Sequence, residues 1–208
     1  MLSLLSTTPP PSVFIDILST LNGGILDERH EPAHSWVRNF YNLRLAQTLG
    51  IFNSGSTWGA GYLSLRSPDG TYRSPNQYDA HYFIAAAINT SVDGILCGRG
   101  SDAVSVDDYA LQTPITHGTG TNQLSHRAQA AASPSYTSGT KTWSAVLTRL
   151  FDNLSGSTIT VTECGLFAST YTSAWKLLLC RDILSSSIDV ANKGVLSVSY
   201  TISAVFPD

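Results

Sequence analysis

Apolar and polar residues alternate with a period of two along the C-terminal part of the chain. In 196–204 every second residue is apolar and each intervening one is serine or threonine, and 158–163 repeats the alternation. Successive side chains of a strand point to opposite faces, so the pattern predicts strands with one buried face. Turn signals between such runs predict strands at 143–153, 157–168, 175–181 and 194–206. Strands at this spacing indicate a sandwich or an open barrel.

The predicted fold is therefore mainly β: a jelly-roll-like antiparallel β-sandwich with one N-terminal α-helix of about 17 residues packed against it. The helix is predicted over 32–49, because Pro32 suits a first helical position and Gly50 a C-terminal cap. Trp36, Phe40 and Tyr41 fall near three-to-four spacing, so we expect them to pack the helix on the sheet.

The chain is predicted to have an arm and one domain. Residues 1–31 are expected to form an extended N-terminal arm, because Pro9, Pro10 and Pro11 favour polyproline II. Such an arm can be a disordered tail or can lie along a neighbouring subunit. Residues 32–208 are expected to form a single β-sandwich domain with the flanking helix 32–49 and a loop-rich insertion at 53–80, where turn signals cluster.

Composition narrows the classes of partner. Of the 208 residues, 13% are charged and 42% are hydrophobic, so the surface repels neighbouring copies weakly. This suits packing against other subunits, and an ordinary low-charge sandwich is an equal alternative. A net charge of −3 and scattered arginines argue against nucleic acid. No run reaches the roughly 18 apolar residues of a membrane span, and the N-terminus lacks a secretory signature.

The three cysteines, Cys97, Cys164 and Cys180, have no C-x-x-C spacing and lie in apolar runs. We expect buried free thiols in a protein that folds in a reducing compartment. His30-Glu31-Pro32-Ala33-His34 matches the zinc motif H-E-x-x-H, but a proline cannot occupy the continuous helix that the motif requires. The sequence therefore predicts no catalytic residue, metal or cofactor, and a protein that is not an enzyme.

Glu163 occupies the apolar phase of its strand, together with Ile159 and Val161. Its carboxylate is therefore expected to point inward, where a charge needs a partner. Arg149 and Arg181 lie in neighbouring predicted strands. We predict that Glu163 forms a structural ion pair with them and is not a catalytic acid.

Several stretches resemble one protein family. They are Gly94-Ile95 to Gly98-x-Gly100, 105–111 with 115–118, Arg149-x-Phe151-x-Asn153-x-Ser155-Gly156, 159–166, Leu179-x-Arg181-Asp182-Ile183-Leu184, 196–202, and the helical stretch 34–42. Together they cover about half of the chain and resemble structural proteins of tailed-bacteriophage virions, β-rich proteins of the tail, the neck or the capsid exterior. The resemblance carries over no catalytic residue.

The resemblance implies a virion component that folds in the host bacterial cytoplasm and assembles in many copies. Its partners are then copies of itself and other virion proteins, with no nucleic acid and no membrane. The alternative is a carbohydrate- or receptor-binding module of a tail fibre or tip, with a host surface glycan as its partner. Aromatic and polar loop residues could bind that sugar: Trp58, Tyr62, Asp69, Tyr72, Asn76, Tyr78 and Asp79.

Overall fold

The computed structural model of the protein describes residues 12–33, 35–50, 63–75, 82–170 and 175–206. These ranges contain twelve strands and one helix. In chain order they are β1 (Ser12–Leu21), β2 (Gly24–Ala33), α1 (Arg38–Leu49), β3 (Leu65–Arg66), β4 (Tyr72–Arg73), β5 (Tyr82–Phe83), β6 (Gly94–Gly98), β7 (Ser125–His126), β8 (Ser133–Thr137), β9 (Thr142–Asp152), β10 (Ile159–Thr170), β11 (Lys176–Val190) and β12 (Val195–Val205).

Six strands form the first sheet, in the order β2-β1-β12-β9, with β7 and β8 both paired to β9. All pairings between these strands are antiparallel. In the central strand β12, Val198 lies opposite Ile17 of β1 and Arg149 of β9. Leu196, Val198 and Tyr200 are fully buried, as the alternation predicts, because they line the inner face of this sheet.

The second sheet is built on β10, which pairs with β11 on one side and with β5 and β6 on the other. These pairings are antiparallel as well, and the β10–β11 ladder has two register shifts. Apolar side chains of both sheets meet in one core cluster, to which Ile17 and Val198 contribute from the first sheet and Ile95, Leu166 and Ile188 from the second. The described protein is thus mainly β, in antiparallel sheets, with one helix.

The helix is shorter than predicted. It has 12 residues and begins at Arg38, after an extended Val37, and it ends at Gly50, whose positive φ of 63° closes it. Gly50 is the predicted cap, because glycine adopts the left-handed conformation without a steric penalty. Leu43 packs with Ala168, Leu177 and Leu179, so the helix lies against β10 and β11.

The prediction of an extended arm up to residue 31 is wrong from Ser12 onward. Residues 12–33 form a β-hairpin, in which Phe14 pairs with Pro32 and Asp16 with His30. Pro32 therefore lies in a strand and does not begin a helix. It is tolerated there because β2 is at the edge of the first sheet, where one side of the strand makes no ladder hydrogen bonds.

The predicted insertion at 53–80 is described only at 63–75, where β3 and β4 form a two-stranded ladder. Its remaining residues lie outside the described ranges, as do residues 1–11 of the arm.

Candidate functional site: buried polar networks and an exposed apolar end

Glu163 is completely buried in β10, and its carboxylate accepts four hydrogen bonds. Oε1 accepts from the backbone N–H groups of Gly100 (3.0 Å) and Thr113 (2.8 Å). Oε2 accepts from the N–H of Gln112 (3.1 Å) and from Nε of Arg181 (2.9 Å). The carboxylate thus joins the loop after β6 to the middle of the second sheet, in a site closed to solvent.

Arg181 completes this network from β11. Its Nη1 donates to Oδ2 of Asp108 at 2.8 Å, and its Nη2 donates to the carbonyl of Asp102 at 3.2 Å. The guanidinium is almost fully buried, and each of its three nitrogens donates a hydrogen bond within the protein. Two carboxylates, Glu163 and Asp108, balance its charge. We call Glu163, Arg181 and Asp108 the carboxylate latch, because together they hold loop 99–113 on the sheet.

The glycine pair Gly98 and Gly100 is explained by the carboxylate latch. A Cβ at Gly98 would lie 2.8 Å from the carbonyl oxygen of Thr113 and 2.7 Å from Cγ of Glu163. A Cβ at Gly100 would lie 2.6 Å from Oε1 of Glu163. The two glycines therefore allow the backbone to approach the carboxylate closely.

Arg149 does not join Glu163, and this part of the predicted ion pair is wrong. Its guanidinium is fully buried and donates to the backbone carbonyls of residues 87, 90, 93, 95 and 127, at 2.8–3.4 Å. The reason is that β9 belongs to the first sheet, whereas β10 belongs to the second. Burial lowers the pKa of Arg149 to about 10, which still leaves it charged at neutral pH.

A second buried carboxylate, Asp182 of β11, accepts hydrogen bonds from the hydroxyl of Tyr200 (3.0 Å) and from Sγ of Cys180 (3.1 Å). Burial, and then the charge of Asp182, raise the pKa values of Tyr200 and Cys180 well above their usual range. Sγ of Cys164 lies 3.7 Å from Sγ of Cys97, and this hydrogen bond, followed by burial, raises the pKa of Cys164. All three thiols are free and buried. The raised pKa values keep the thiols of Cys164 and Cys180 protonated, and a protonated thiol is a poor nucleophile.

His126 is a buried histidine that the sequence does not single out. Its Nδ1 lies 2.8 Å from the carbonyl oxygen of Thr90, and its Nε2 has no hydrogen-bond partner among the described residues. The imidazole packs edge-on against Phe151, with ring centroids 5.0 Å apart. Burial lowers the pKa of His126 to about 4, so the ring is neutral at pH 7.

We expect His126 to make stability decrease between pH 6.5 and pH 4. The unfolded histidine takes up a proton near pH 6.5, whereas the folded one resists it down to about pH 4. The unfolded state therefore binds more protons in this window, and about 3 kcal/mol of stability is lost as the pH falls. Urea unfolding at pH 7, 5.5 and 4.5 should show a shallower loss for His126→Gln than for the wild type. His30→Gln, at an exposed histidine, is the control, and an equal slope in both variants would contradict the assignment.

The H-E-x-x-H stretch does not have the geometry of a helical zinc site. His30 is exposed on β2, where its ring stacks on Phe14 with centroids 5.2 Å apart and its Nδ1 lies 2.5 Å from Oδ1 of Asp16. Glu31 accepts hydrogen bonds from the backbone N–H and the hydroxyl of Ser185. His34 lies outside the described residues, and no three metal-binding side chains cluster within the described ranges.

The aromatic residues predicted to pack the helix have different environments. Trp36 precedes the helix and stacks on Phe40 with centroids 3.9 Å apart, and both pack on the cluster around Leu43. Tyr41 meets Phe40 edge-on at 5.5 Å but is 43% exposed. Trp36 and Phe40 also line a groove of about 460 Å³. We call it the end groove, and its lining residues are Trp36, Phe40, Arg44, Tyr82, Ile84, Trp143, Leu179, Ile202 and Ala204.

Exposed aromatic residues continue from the end groove along the first sheet. Tyr136 of β8 pairs with Trp143 of β9, and the rings of Tyr136 and Phe206 lie 6.1 Å apart. Tyr136 and Phe206 are each more than half exposed, and Trp143 is 37% exposed. We call these three residues the apolar overhang.

A second cavity, of about 520 Å³, lies beside the β3–β4 turn. Leu96, Leu111 and Phe167 give it an apolar lining, and Arg73 and Lys176 add positive charge. Of the residues predicted to bind sugars, Asp69 lines this cavity, and Tyr72 lies nearby in β4 under the guanidinium of Arg66. Trp58, Tyr62, Asn76, Tyr78 and Asp79 lie outside the described residues.

Comparisons with models of protein families, with curated proteins and with solved structures find no match to this chain. In the described ranges, no helix has both the length and the apolar character needed to cross a membrane.

Proposed function

We propose that this protein is a non-enzymatic structural component of a tailed-phage virion. It folds in the host cytoplasm as a jelly-roll-like β-sandwich and assembles in many copies on the neck, the tail or the capsid exterior. Its partners are copies of itself and other virion proteins. The observation that carries the proposal is the apolar overhang. Its exposed aromatic side chains lie at the end of the buried inner face of the first sheet, and exposed apolar surfaces of this kind mark sites that bind other proteins.

The buried polar groups support a structural role. Glu163 and Arg181 hold loop 99–113, and Arg149 holds the backbone around β6. Each of these side chains is committed to fixed hydrogen bonds within the protein. The low content of charged residues also favours close packing between copies.

The direct test is the composition of purified particles. We expect quantitative mass spectrometry of virions to find the chain in several copies per particle, and immunogold labelling to locate it on the tail, the neck or the capsid exterior. A chain that is abundant in infected cells and missing from the particles would contradict the proposal.

A second candidate function, glycan recognition, is favoured by the cavity beside the β3–β4 turn, where Asp69 lies next to an apolar lining and two cations. Binding of the purified protein to host surface glycans, lost in Asp69→Ala, would support it. The matched control is Asp107→Ala, at an exposed aspartate that does not line this cavity. Unchanged binding in Asp69→Ala would contradict this site.

A further inference from the structure

The inner face of the first sheet extends beyond the core that covers it. Tyr200 of β12 is fully buried, whereas Phe206, which directly follows the end of β12 at Val205, is 53% exposed. The same change occurs on β9, where Leu147 is buried and Trp143 is 37% exposed. The end groove and the apolar overhang therefore form one continuous apolar surface at this end of the sheet.

The first described strand begins next to this surface. β1 begins at Ser12, which pairs with Ser203 of β12. Ile202 and Ala204, the residues on either side of Ser203, line the end groove, so Ser12 lies beside that groove. The eleven residues before Ser12 contain Leu2, Leu4 and Leu5, followed by the three prolines.

We infer that the leucines of residues 1–11 bind in the end groove of a second copy of this chain. Proline runs are stiff and extended, so the sequence Pro9, Pro10 and Pro11 disfavours the tight reversal that would bring the leucines back to the groove of the same copy. The groove of a neighbouring copy offers the leucines an apolar site without this reversal, lined by Trp36, Phe40 and Trp143.

The inference deepens the proposed function and rests on it, since it identifies how one copy contacts the next. Aromatic-lined grooves bind extended proline-containing segments because such segments lose little conformational entropy on binding. In this contact, residues 1–11 of one copy bind the end groove of another copy. The two contacting surfaces are different, so the contact links each copy to a neighbour.

The test uses full-length variants in sedimentation velocity. The arm variant carries Leu4→Glu and Leu5→Glu, and the groove variant carries Trp143→Glu. The control is Leu154→Glu, an exposed leucine beyond the opposite end of β9. We expect the wild type and the control to form oligomers and the arm and groove variants to sediment as monomers with unchanged far-ultraviolet circular dichroism.

Mixing the two monomeric variants is the decisive step. The intact arm of the groove variant can bind the intact groove of the arm variant, so an equimolar mixture should form one-to-one dimers. If Trp143→Glu fails to fold, Phe206→Glu replaces it, at a more exposed position of the same surface. A monomeric wild type, an arm variant that still oligomerises or a mixture that stays monomeric would overturn the inference. The proposed function is tested separately, by the composition of virions.

Discussion

Replacing Glu163 by glutamine is expected to lower the free energy of unfolding by about 3–5 kcal/mol, because one partner of a buried ion pair is lost. The amide has only one acceptor oxygen, whereas the carboxylate accepts from three backbone N–H groups and from Arg181. The amide NH₂ then faces donors, and the buried guanidinium of Arg181 loses one of its two carboxylate partners and keeps only Asp108. Thermal unfolding should show a fall in Tm of roughly 10 °C.

The matched control is Asp152→Asn, which also removes a carboxylate charge from an ion pair with an arginine. Asp152 accepts from Nε and Nη2 of Arg127 at 2.7 and 2.5 Å, but this arginine is about half exposed. Solvent weakens such a pair, so the expected loss is below about 1 kcal/mol. Equal losses in the two variants would show that the Glu163 carboxylate does not hold the loop. Hydrogen exchange supplies a local measurement, with faster exchange expected in 100–113 for Glu163→Gln.

Replacing Arg149 by methionine is expected to destabilise the protein by at least about 3 kcal/mol. Methionine fills part of the space of the arginine stem but removes every guanidinium hydrogen bond to the five backbone carbonyls, of which that of Thr90 keeps its contact with Nδ1 of His126. Buried acceptors that lose their partners are costly. Urea unfolding measures the loss. Hydrogen exchange should become faster in 87–95, a different segment from the one affected by Glu163→Gln.

Arg149→Lys is the matched variant for this position. Lysine keeps the positive charge and has three donors, so it can satisfy some of the carbonyls but not all five. We expect the wild type to be the most stable, the Arg149→Lys variant to be less stable and the Arg149→Met variant to be the least stable. If the Arg149→Lys variant is as stable as the wild type, the planar array of guanidinium donors is not needed to hold these carbonyls.

Arg149 and Arg181 show which part of the buried site the sequence predicts and which part it does not. The phase of β10 indicates that Glu163 points inward, and the sequence offers Arg181 and Arg149 as partners on equal terms. The structure places Arg181 beside the carboxylate because β11 pairs with β10, while Arg149 lies in the other sheet. The distinction depends on which strands are neighbours, and the pattern within one strand carries no information about that.

The sequence pattern does not reveal the hairpin at 12–33, for a different reason. The strand β2 reads Asp27, Glu28, Arg29, His30 and Glu31, with polar residues on both faces, because it lies at the edge of the sheet. Without an apolar face there is no alternation to detect, and Pro32 favours a helix start. Pairing with β1 determines its conformation, since β1 has the apolar row Val13, Ile15 and Ile17.

By itself, the sequence determined β9, β10, β12 and the first part of β11, which continues to Val190 beyond the predicted end at 181. It also determined the inward rows of these strands and the end of the helix at Gly50, because these depend on side chains a few residues apart. The tertiary structure alone decided the order of the strands, the ligands of Arg149, the burial of His126 and the meeting of the end groove with the start of β1. These features arise from contacts between residues far apart in the chain, whose free energies depend on the packing of the whole core.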